Sequence, residues 1–307
     1  MYYFIINPHS RTGQGKLVWL QLEQILKNKR ISYEPHFTEY VGHAKKLARQ
    51  LSDTPSPRTI IALGGDGTVN EVLDGLILSD AITFGFIPTG SGNDFARGMG
   101  LPTDPKKALE CILKKERLVS MDVGEVTADF KTHRFGVSTG IGYDASICHE
   151  ALASPLKTLF NKLKLGKLTY VIIGLKQLLL CHPTPLTIYL DGGRRYRYDK
   201  AYFAAVMNLP YEGGGMKFCP DARTGDRVMD ICIAAGLPKW KVVCLIPFAV
   251  FGLHTHFRGI HILRCRQALI QSAVPLPVHR DGESNGFRTE LKINFAKNAL
   301  KVITPMI

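Results

Sequence analysis

Ile60-Ile-Ala-Leu-Gly-Gly-Asp-Gly-Thr-Val-Asn-Glu-Val72 is the stretch on which the reading of this chain turns. An apolar run leads straight into Gly64-Gly65-Asp66-Gly67-Thr68, and a helical pattern starts at once. A short all-apolar strand, a glycine turn and a helix form the opening of a parallel, doubly covered sheet. Glycines at such a turn let backbone amides approach a phosphate closely, and the helix amino terminus adds a favourable dipole. Asp66 among those amides would repel a phosphate unless a cation is shared, so it implies Mg2+ together with a nucleotide. A purely structural turn has little use for three glycines, an Asp and a Thr in five residues.

The same pattern recurs on both sides. Upstream, residues 2–6 (YYFII) read as a strand, Asn7 to Lys16 as a glycine-bearing loop, and 16–29 as a helix through Leu17, Leu20, Leu22, Ile25 and Leu26. A strand over 32–37, a helix over 42–51, the buried strand 59–63, a helix over 69–78 and a strand over 83–87 follow. Beyond the last of these comes a second glycine-rich turn, Pro88-Thr-Gly-Ser-Gly-Asn-Asp-Phe-Ala-Arg97, with Ser91 and Asn93 as donors or caps. Loops after neighbouring parallel strands converge at the carboxyl edge of the sheet, where open α/β folds bind ligands. The first loop, Asn7-Pro-His-Ser-Arg-Thr-Gly-Gln-Gly-Lys16, belongs to that edge but is no Walker A loop. Ser10 stands where the first glycine would be, and Leu17 follows Lys16 in place of Ser or Thr.

After about residue 118 the character changes. Runs at 134–139, 185–191, 200–207 and 228–234 read as strands joined by turns rich in Gly, Asp and Arg. The expected organisation is an α/β domain over 1–125, with 296–307 available to supply its last strand, and a β-rich domain over 126–295. Charge follows the same division. The chain of 307 residues carries a net +13, of which 15 basic against 14 acidic residues fall in 1–125 and 24 against 12 in the remainder. A hydrophobic fraction of 45% excludes disordered and fibrous classes, and the charge excess bears on partners and not on fold.

Met1-Tyr-Tyr-Phe-Ile-Ile-Asn-Pro8 has neither a basic n-region nor a long apolar stretch, so no signal peptide is expected. Val242 to Leu253 is too short to span a bilayer, which takes about 20 residues. Seven cysteines without a CxxC suit a reduced, cytoplasmic setting, and His254-x-His256 with His261 lacks partners at ligand spacing. Pro155 to Cys181 holds five lysines and no acid; Leu156, Leu159, Phe160 and Leu163 share one helical face and Lys157, Asn161 and Lys164 the other. Such a helix packs on the β domain with solvated lysines, or rests on anionic lipid.

GGDGTVNEV, NPHSRTGQGK, PTGSGNDFAR and a late Arg280-Asp-Gly-Glu283 together resemble the diacylglycerol kinase catalytic-domain family, in its bacterial soluble lipid kinase branch. PDARTGDRVMDI (Pro220 to Ile231) and the LGKLTYVIIGLKQLL segment extend the resemblance over essentially the whole chain. NAD kinases and 6-phosphofructokinases share GGDG-type loops; the late DGE points to lipid kinases. The implied fold is an amino-terminal doubly wound domain of the NAD kinase/diacylglycerol kinase type plus a mainly antiparallel β-sandwich.

The resemblance also implies roles. Asn7, Pro8, Ser10, Arg11, Thr12, Thr38, Gly64, Gly65, Asp66, Gly67, Thr68, Asn70, Glu71 and Ser91 would form an ATP site, with Asp66 serving a catalytic Mg2+. Glu283 would be the general base for the acceptor hydroxyl; from the tetrapeptide alone, Asp281-Gly282 reads first as a hairpin turn, and the resemblance reverses that. Asp94 would orient that base and Arg97 the γ-phosphate, with Asp122 a lesser candidate for the metal network. A structural Mg2+ would be held by Asp226 and the carbonyls of Arg223 and Val228, although Gly225 and Arg227 depart from the family pattern there. The resulting expectation is an ATP-dependent lipid kinase at the inner face of the membrane, with a membrane lipid and an anionic surface as partners, no nucleic acid, and a homodimer left open. The alternatives are a kinase of a soluble substrate such as NAD and an inactive nucleotide-dependent membrane-binding module.

Overall fold

The computed structural model describes residues 1–153 and 166–306, without the side chains of Thr12, 152–153 and 166–171. Its first sheet has six strands: β1 (Tyr2–Ile6), β2 (Tyr33–Phe37), β3 (Arg58–Gly64), β4 (Ile82–Pro88), β5 (Arg117–Met121) and β17 (Leu300–Thr304). They lie in the order β2-β1-β3-β4-β17-β5, parallel except for the last pair. Side chains alternate across this sheet as a pleat demands. Phe4, Ile6, Ile61, Leu63 and Ile87 pack with Trp19 and Leu22 of α1 (Ser10–Asn28) and Leu109 and Ile112 of α5 (Pro105–Lys114). On the opposite face Ile5, Ile60, Ala62, Phe84 and Phe86 meet α2 (His43–Ser52) and α3 (Asp66–Gly75). Burial on both faces is why these strands are almost continuously apolar.

The second sheet is antiparallel throughout. Its path is β14 (Ile260–Cys265), β13 (Met229–Ala235), β10 (Arg194–Met207), β8 (Ser138–Gly142), β15 (Ala268–Arg280), β16 (Glu283–Phe295), β6 (Gly124–Ala128) and β7 (Lys131–Phe135). β9 (Thr184–Leu190) pairs with the first half of β10 and the first half of β15, while β8 pairs with their second halves. The long strands therefore turn the sheet over a core of Phe135, Ile141, Ile188, Val206, Ile231 and Leu291. This is the expected α/β plus antiparallel sandwich fold. The chain passes between the sheets at Asp122–Val123 and returns at Ala296, whose N–H donates to Val123 O at 2.9 Å.

Two expectations change. The run 134–139 is not one strand: β7 ends at Phe135 and β8 begins at Ser138, because the amides of Gly136, Val137 and Ser138 turn toward one carboxylate described below. α1 starts at Ser10, well before the apolar periodicity, and α3 starts at Asp66. The basic amphipathic segment at Leu156 to Lys164 lies outside the described residues. Among the described residues no helix is long and apolar enough to cross a membrane.

Candidate active site

The sheet order reverses direction at β1, and the loops after β1, β3 and β4 meet beside that reversal, at the carboxyl edge. Asn7 Nδ2 donates to Thr68 Oγ1 at 3.1 Å, Thr89 N donates to Gly64 O at 2.8 Å, and the Ser10 and Thr89 hydroxyls lie 2.7 Å apart. The two glycine turns touch through backbone: a Cβ on Gly90 would fall 2.8 Å from Gly65 Cα. A Cβ on Gly64 would strike Thr68 Oγ1 at 2.3 Å. These glycines thus serve close packing of the loops as well as ligand approach. Gly65 is the extended N-cap of α3, with no side chain capping it, so the first amides of that helix present donors to the cleft.

Two carboxylates face this edge. Asp66 Oδ1 accepts from Phe95 N at 3.2 Å, and a Cβ on Gly92 would lie 2.9 Å from Asp66 Oδ2 and 3.9 Å from Asp94 Oδ2. Asp94, at the head of α4 (Asp94–Gly98), accepts from Gly214 N at 2.8 Å and pairs with Arg97 at 3.4 Å. Burial raises the Asp66 carboxyl against its amide donors, and the nearby Asp281 adds to the rise. Burial first and the Asp66 charge second push Asp94 up to about 7. Neighbouring carboxylates that resist ionising together are suited to a hard divalent cation such as Mg2+. Asp94, implied as the orienter of Glu283, has Gly214, Arg97 and Asp66 among its neighbours. Arg97 lies over the Tyr211 ring at 5.6 Å, against Gly215.

Glu283 reaches the same place from the far end of the chain. A Cβ on Gly67 would lie 2.8 Å from Glu283 Oε1, so this carboxylate rests on the first turn of α3. Its position follows from the turn before it. Asp281 (φ 49°) and Gly282 (φ 80°) are both left-handed, the combination a tight two-residue hairpin between β15 and β16 requires. The turn reading and the site reading of Arg280-Asp-Gly-Glu283 both hold. Asp281 Oδ2 accepts from Asn70 Nδ2 and Gly136 N at 2.8 Å each, and Oδ1 from Val137 N at 2.8 Å and Ser138 N at 2.9 Å. Asp281 is the residue sequence reasoning passed over. Arg280 beside it pairs with Asp74 at 3.0 Å; burial would raise that carboxyl, but Lys45, Arg280, the Arg134 amide and His133 hold it well below the carboxylate range.

Other expected nucleotide contacts have protein partners of their own. Asn70 spends its amide on Asp281. Glu71 accepts from Gly42 N at 2.8 Å and Ala44 N at 3.2 Å, so it caps α2. Thr38 is buried and donates its N–H to Ile6 O at 2.8 Å. Ser91 and Arg11 are exposed at the loop tips, Pro8 lies between, and the Thr12 side chain is outside the described set.

The stretch read as a second Mg2+ site is a turn around one carboxylate. Asp226 is its single carboxylate; Oδ1 accepts from Val228 N at 3.0 Å and Oδ2 faces Arg264 at 3.6 Å. Asp122 holds the loop, accepting from Gly225 N at 2.9 Å and Arg227 N at 2.7 Å, with the Arg227 guanidinium 3.6 Å from its other oxygen. Arg264 is shared with Asp230 at 3.1 Å, so within the set Arg223, Asp226 and Val228 the Asp226 carboxylate has one partial ion pair and the turn is braced by arginines. Asp122 serves that turn and not a metal network at the cleft.

One buried cluster carries no sequence signal. His279 Nε2 lies 3.1 Å from Asp144 Oδ2 and 3.0 Å from Glu212 Oε1, all three enclosed. Among the described residues it is the set of potential metal ligands that converges. Burial would lower the His279 pKa, but Glu212 and then Asp144 hold it well above the ordinary range, so the cluster balances its own charge. It ties the hairpin strand of Glu283 to the hairpin β11 (Tyr211–Glu212) and β12 (Met216–Lys217) and to α6 (Tyr143–Ala153).

Comparison with known proteins agrees with this fold. The sequence model of the diacylglycerol kinase catalytic domain matches residues 1–126, and that of the YegS C-terminal NAD kinase beta sandwich-like domain matches 138–304. YtlR, a candidate lipid kinase of Bacillus subtilis (strain 168), is 30% identical over 99% of both chains. A diacylglycerol kinase of the same organism is 28% identical over 98% of this chain and 95% of its own. A crystal structure of a diacylglycerol kinase from Bacillus anthracis str. Sterne shares the fold, with TM-score 0.72 and 21% identity over 99% of this chain and 96% of that one. The chain belongs to the diacylglycerol kinase catalytic-domain family. It is a nucleotide-binding kinase, a phosphotransferase.

Proposed function

We propose that this kinase transfers the γ-phosphate of ATP to the hydroxyl of a membrane lipid, diacylglycerol or a related one, at the inner face of the cytoplasmic membrane. One observation carries the reading: the Glu283 carboxylate sits on the first turn of α3, at the head of the phosphate-binding loops and on the same edge as Asp66 and Asp94. An acceptor hydroxyl, with a pKa far above 7, needs a base at that spot as it attacks. Glu283 takes the proton while the hydroxyl oxygen bonds to the γ-phosphorus; the bond to the β,γ-bridging oxygen breaks, and ADP leaves with its electron pair. The α3 amides and Arg97 hold the phosphates in place. Mg2+, when bound by Asp66 and Asp94, supplies charge neutralisation on the phosphate oxygens.

The names of the relatives support a lipid acceptor. The test is direct: purified protein, γ-labelled ATP, Mg2+ and mixed micelles of diacylglycerol, ceramide or phosphatidylglycerol. Label should enter at least one lipid, and Glu283→Gln and Asp66→Ala should abolish transfer. Labelling of NAD with no lipid product would replace the lipid by a soluble acceptor.

A further inference from the structure

The helix Lys239–Phe251 (KWKVVCLIPFAVF) is apolar all round. Val242, Leu245 and Ala249 pack on the β domain, while Trp240 is 64% and Phe251 71% exposed, with Val243, Cys244 and Pro247 exposed between them at helical spacing. A helix with two apolar faces belongs in an interior or at a lipid boundary, not in water. A second helix, Gly166–Leu180, ends beside it: Lys239 Nζ donates to Leu179 O at 2.6 Å, and the Leu179 and Leu180 side chains are 74% and 59% exposed. Single exposed apolar residues elsewhere on the surface are ordinary; here they are continuous across two helices.

Charge identifies what covers this face. No Asp or Glu occurs between Glu150 and Asp191 or between Asp230 and Asp281, so both helices lie in acid-free sequence. Lys239 and Lys241 stand in the first turn of the exposed helix, and the Lys241 ammonium lies 5.5 Å from the Trp240 ring. An aromatic ring with adjacent lysines is the arrangement that seats at the headgroup level of an anionic bilayer. A second copy would offer the same acid-free helices and so no carboxylate to meet these lysines, which disfavours that occupant.

The face also adjoins the site. The exposed helix packs on β12, in the same hairpin as Gly214, whose amide holds Asp94. The helix Gly166–Leu180 packs on α6 through Tyr143 Oη, which donates to Gly174 O at 2.9 Å. α6 in turn reaches the hairpin of Glu283 through His149 and Ser284, 2.9 Å apart.

We propose that the exposed face of Lys239–Phe251, with Leu179 and Leu180, inserts into the headgroup region of anionic membranes, Trp240 and Phe251 entering the acyl boundary and Lys239 and Lys241 meeting lipid phosphates. Its purpose rests on the lipid-kinase reading, but its test does not. The chain has two tryptophans, Trp19 buried at 2% exposure and Trp240 exposed, so emission reports this face directly. Vesicles of equimolar phosphatidylglycerol and phosphatidylcholine should shift emission of the wild-type protein to the blue and co-sediment it; Trp240→Phe should lose the shift and keep the sedimentation. Trp240→Ser with Phe251→Ser should weaken vesicle binding by about tenfold or more, and Lys241→Glu by roughly fivefold on anionic vesicles only. Transfer in detergent micelles of short-chain diacylglycerol should stay within about twofold of wild type in these variants, since P–O transfer does not use them. Wild-type emission unmoved by vesicles, or a dimer in solution that the double Ser variant dissociates, would overturn the docking face while leaving lipid phosphorylation intact. Vesicle binding without micellar phosphorylation would instead overturn the lipid-kinase reading and leave the docking face standing.

Discussion

Asn70 and Asp281, 211 residues apart in sequence, are joined by a hydrogen bond of 2.8 Å that fastens the nucleotide-loop helix to the hairpin of Glu283. The same carboxylate gathers three consecutive amides, Gly136 to Ser138. Asp281→Ala would strand these donors, each worth about 1 to 3 kcal/mol when buried without a partner. Asp281→Ala should therefore lower the urea midpoint clearly and reduce kcat by more than tenfold, because Glu283 follows two residues later. Asn70→Ala removes one of the four donors and should cost about 1 kcal/mol. An unchanged kcat in Asp281→Ala would show that the turn keeps its shape without the clamp.

Gly67 separates packing from catalysis. A methyl there would sit 2.8 Å from Glu283 Oε1, the movable end of a side chain, so Gly67→Ala should displace the proposed base with little loss of stability. We expect kcat down by roughly tenfold and Tm nearly unchanged. Gly64→Ala is the contrast: its methyl meets the Thr68 side chain at 2.3 to 2.8 Å within a packed loop, and Tm should fall.

Asp94 sets a pH dependence. Its carboxyl is raised from 3.8 to about 7 in the fold, so the folded state binds a proton that the unfolded chain has released. Stability must then fall as pH rises from about 4 to about 7. In Mg2+-free buffer, Tm should decline across that window, and Asp94→Asn should flatten the decline. Parallel curves for the two proteins would remove Asp94 as the cause.

The His279 cluster acts in a different range. A histidine with a raised folded pKa contributes stability that is fully present below its ordinary value of 6.5 and is lost as pH climbs through the folded value. His279→Leu leaves Asp144 and Glu212 buried without a cation, a change costing about 3 to 5 kcal/mol. Chemical denaturation at neutral pH should show that loss, and acid should shrink it as the carboxylates protonate.

At the arginine-locked turn, Mg2+ withdrawal should leave Tm unchanged in the nucleotide-free protein once the Asp66 and Asp94 pair is removed by substitution. Asp226→Ala should retain activity within about twofold, as a surface ion pair is worth about 0 to 1 kcal/mol. Asp122→Ala, which frees the Gly225 and Arg227 amides, should destabilise more.

What the sequence disclosed follows from the range of each interaction. Arg58–Gly64 and Ile82–Pro88 could be read directly because burial on both faces leaves an apolar run, and their glycine turns lie next to them in sequence. The placement of Glu283 was legible only through the resemblance, since nothing local tells a hairpin turn from one that carries a base. Asn70 and Glu71 were read as ligand contacts through the resemblance; the protein partners of their side chains, Asp281 and the start of α2, are distant in sequence. Asp144, Glu212 and His279 are lone residues on three separate elements, with no spacing to betray them. Arg227 marked a departure, but only the position of Asp122 shows what that arginine does.

The last strand, Leu300–Thr304, lies inside the first sheet, between β4 and β5. During synthesis, then, the nucleotide-binding sheet stays open along β4 and β5 until residue 304 leaves the ribosome, long after its other strands have been made. Every strand of the β-rich part is made before this last one, so the earliest lobe to be translated is closed by a strand made after them all. An isolated fragment ending near residue 125 would keep two unpaired strand edges and should aggregate where the whole chain does not.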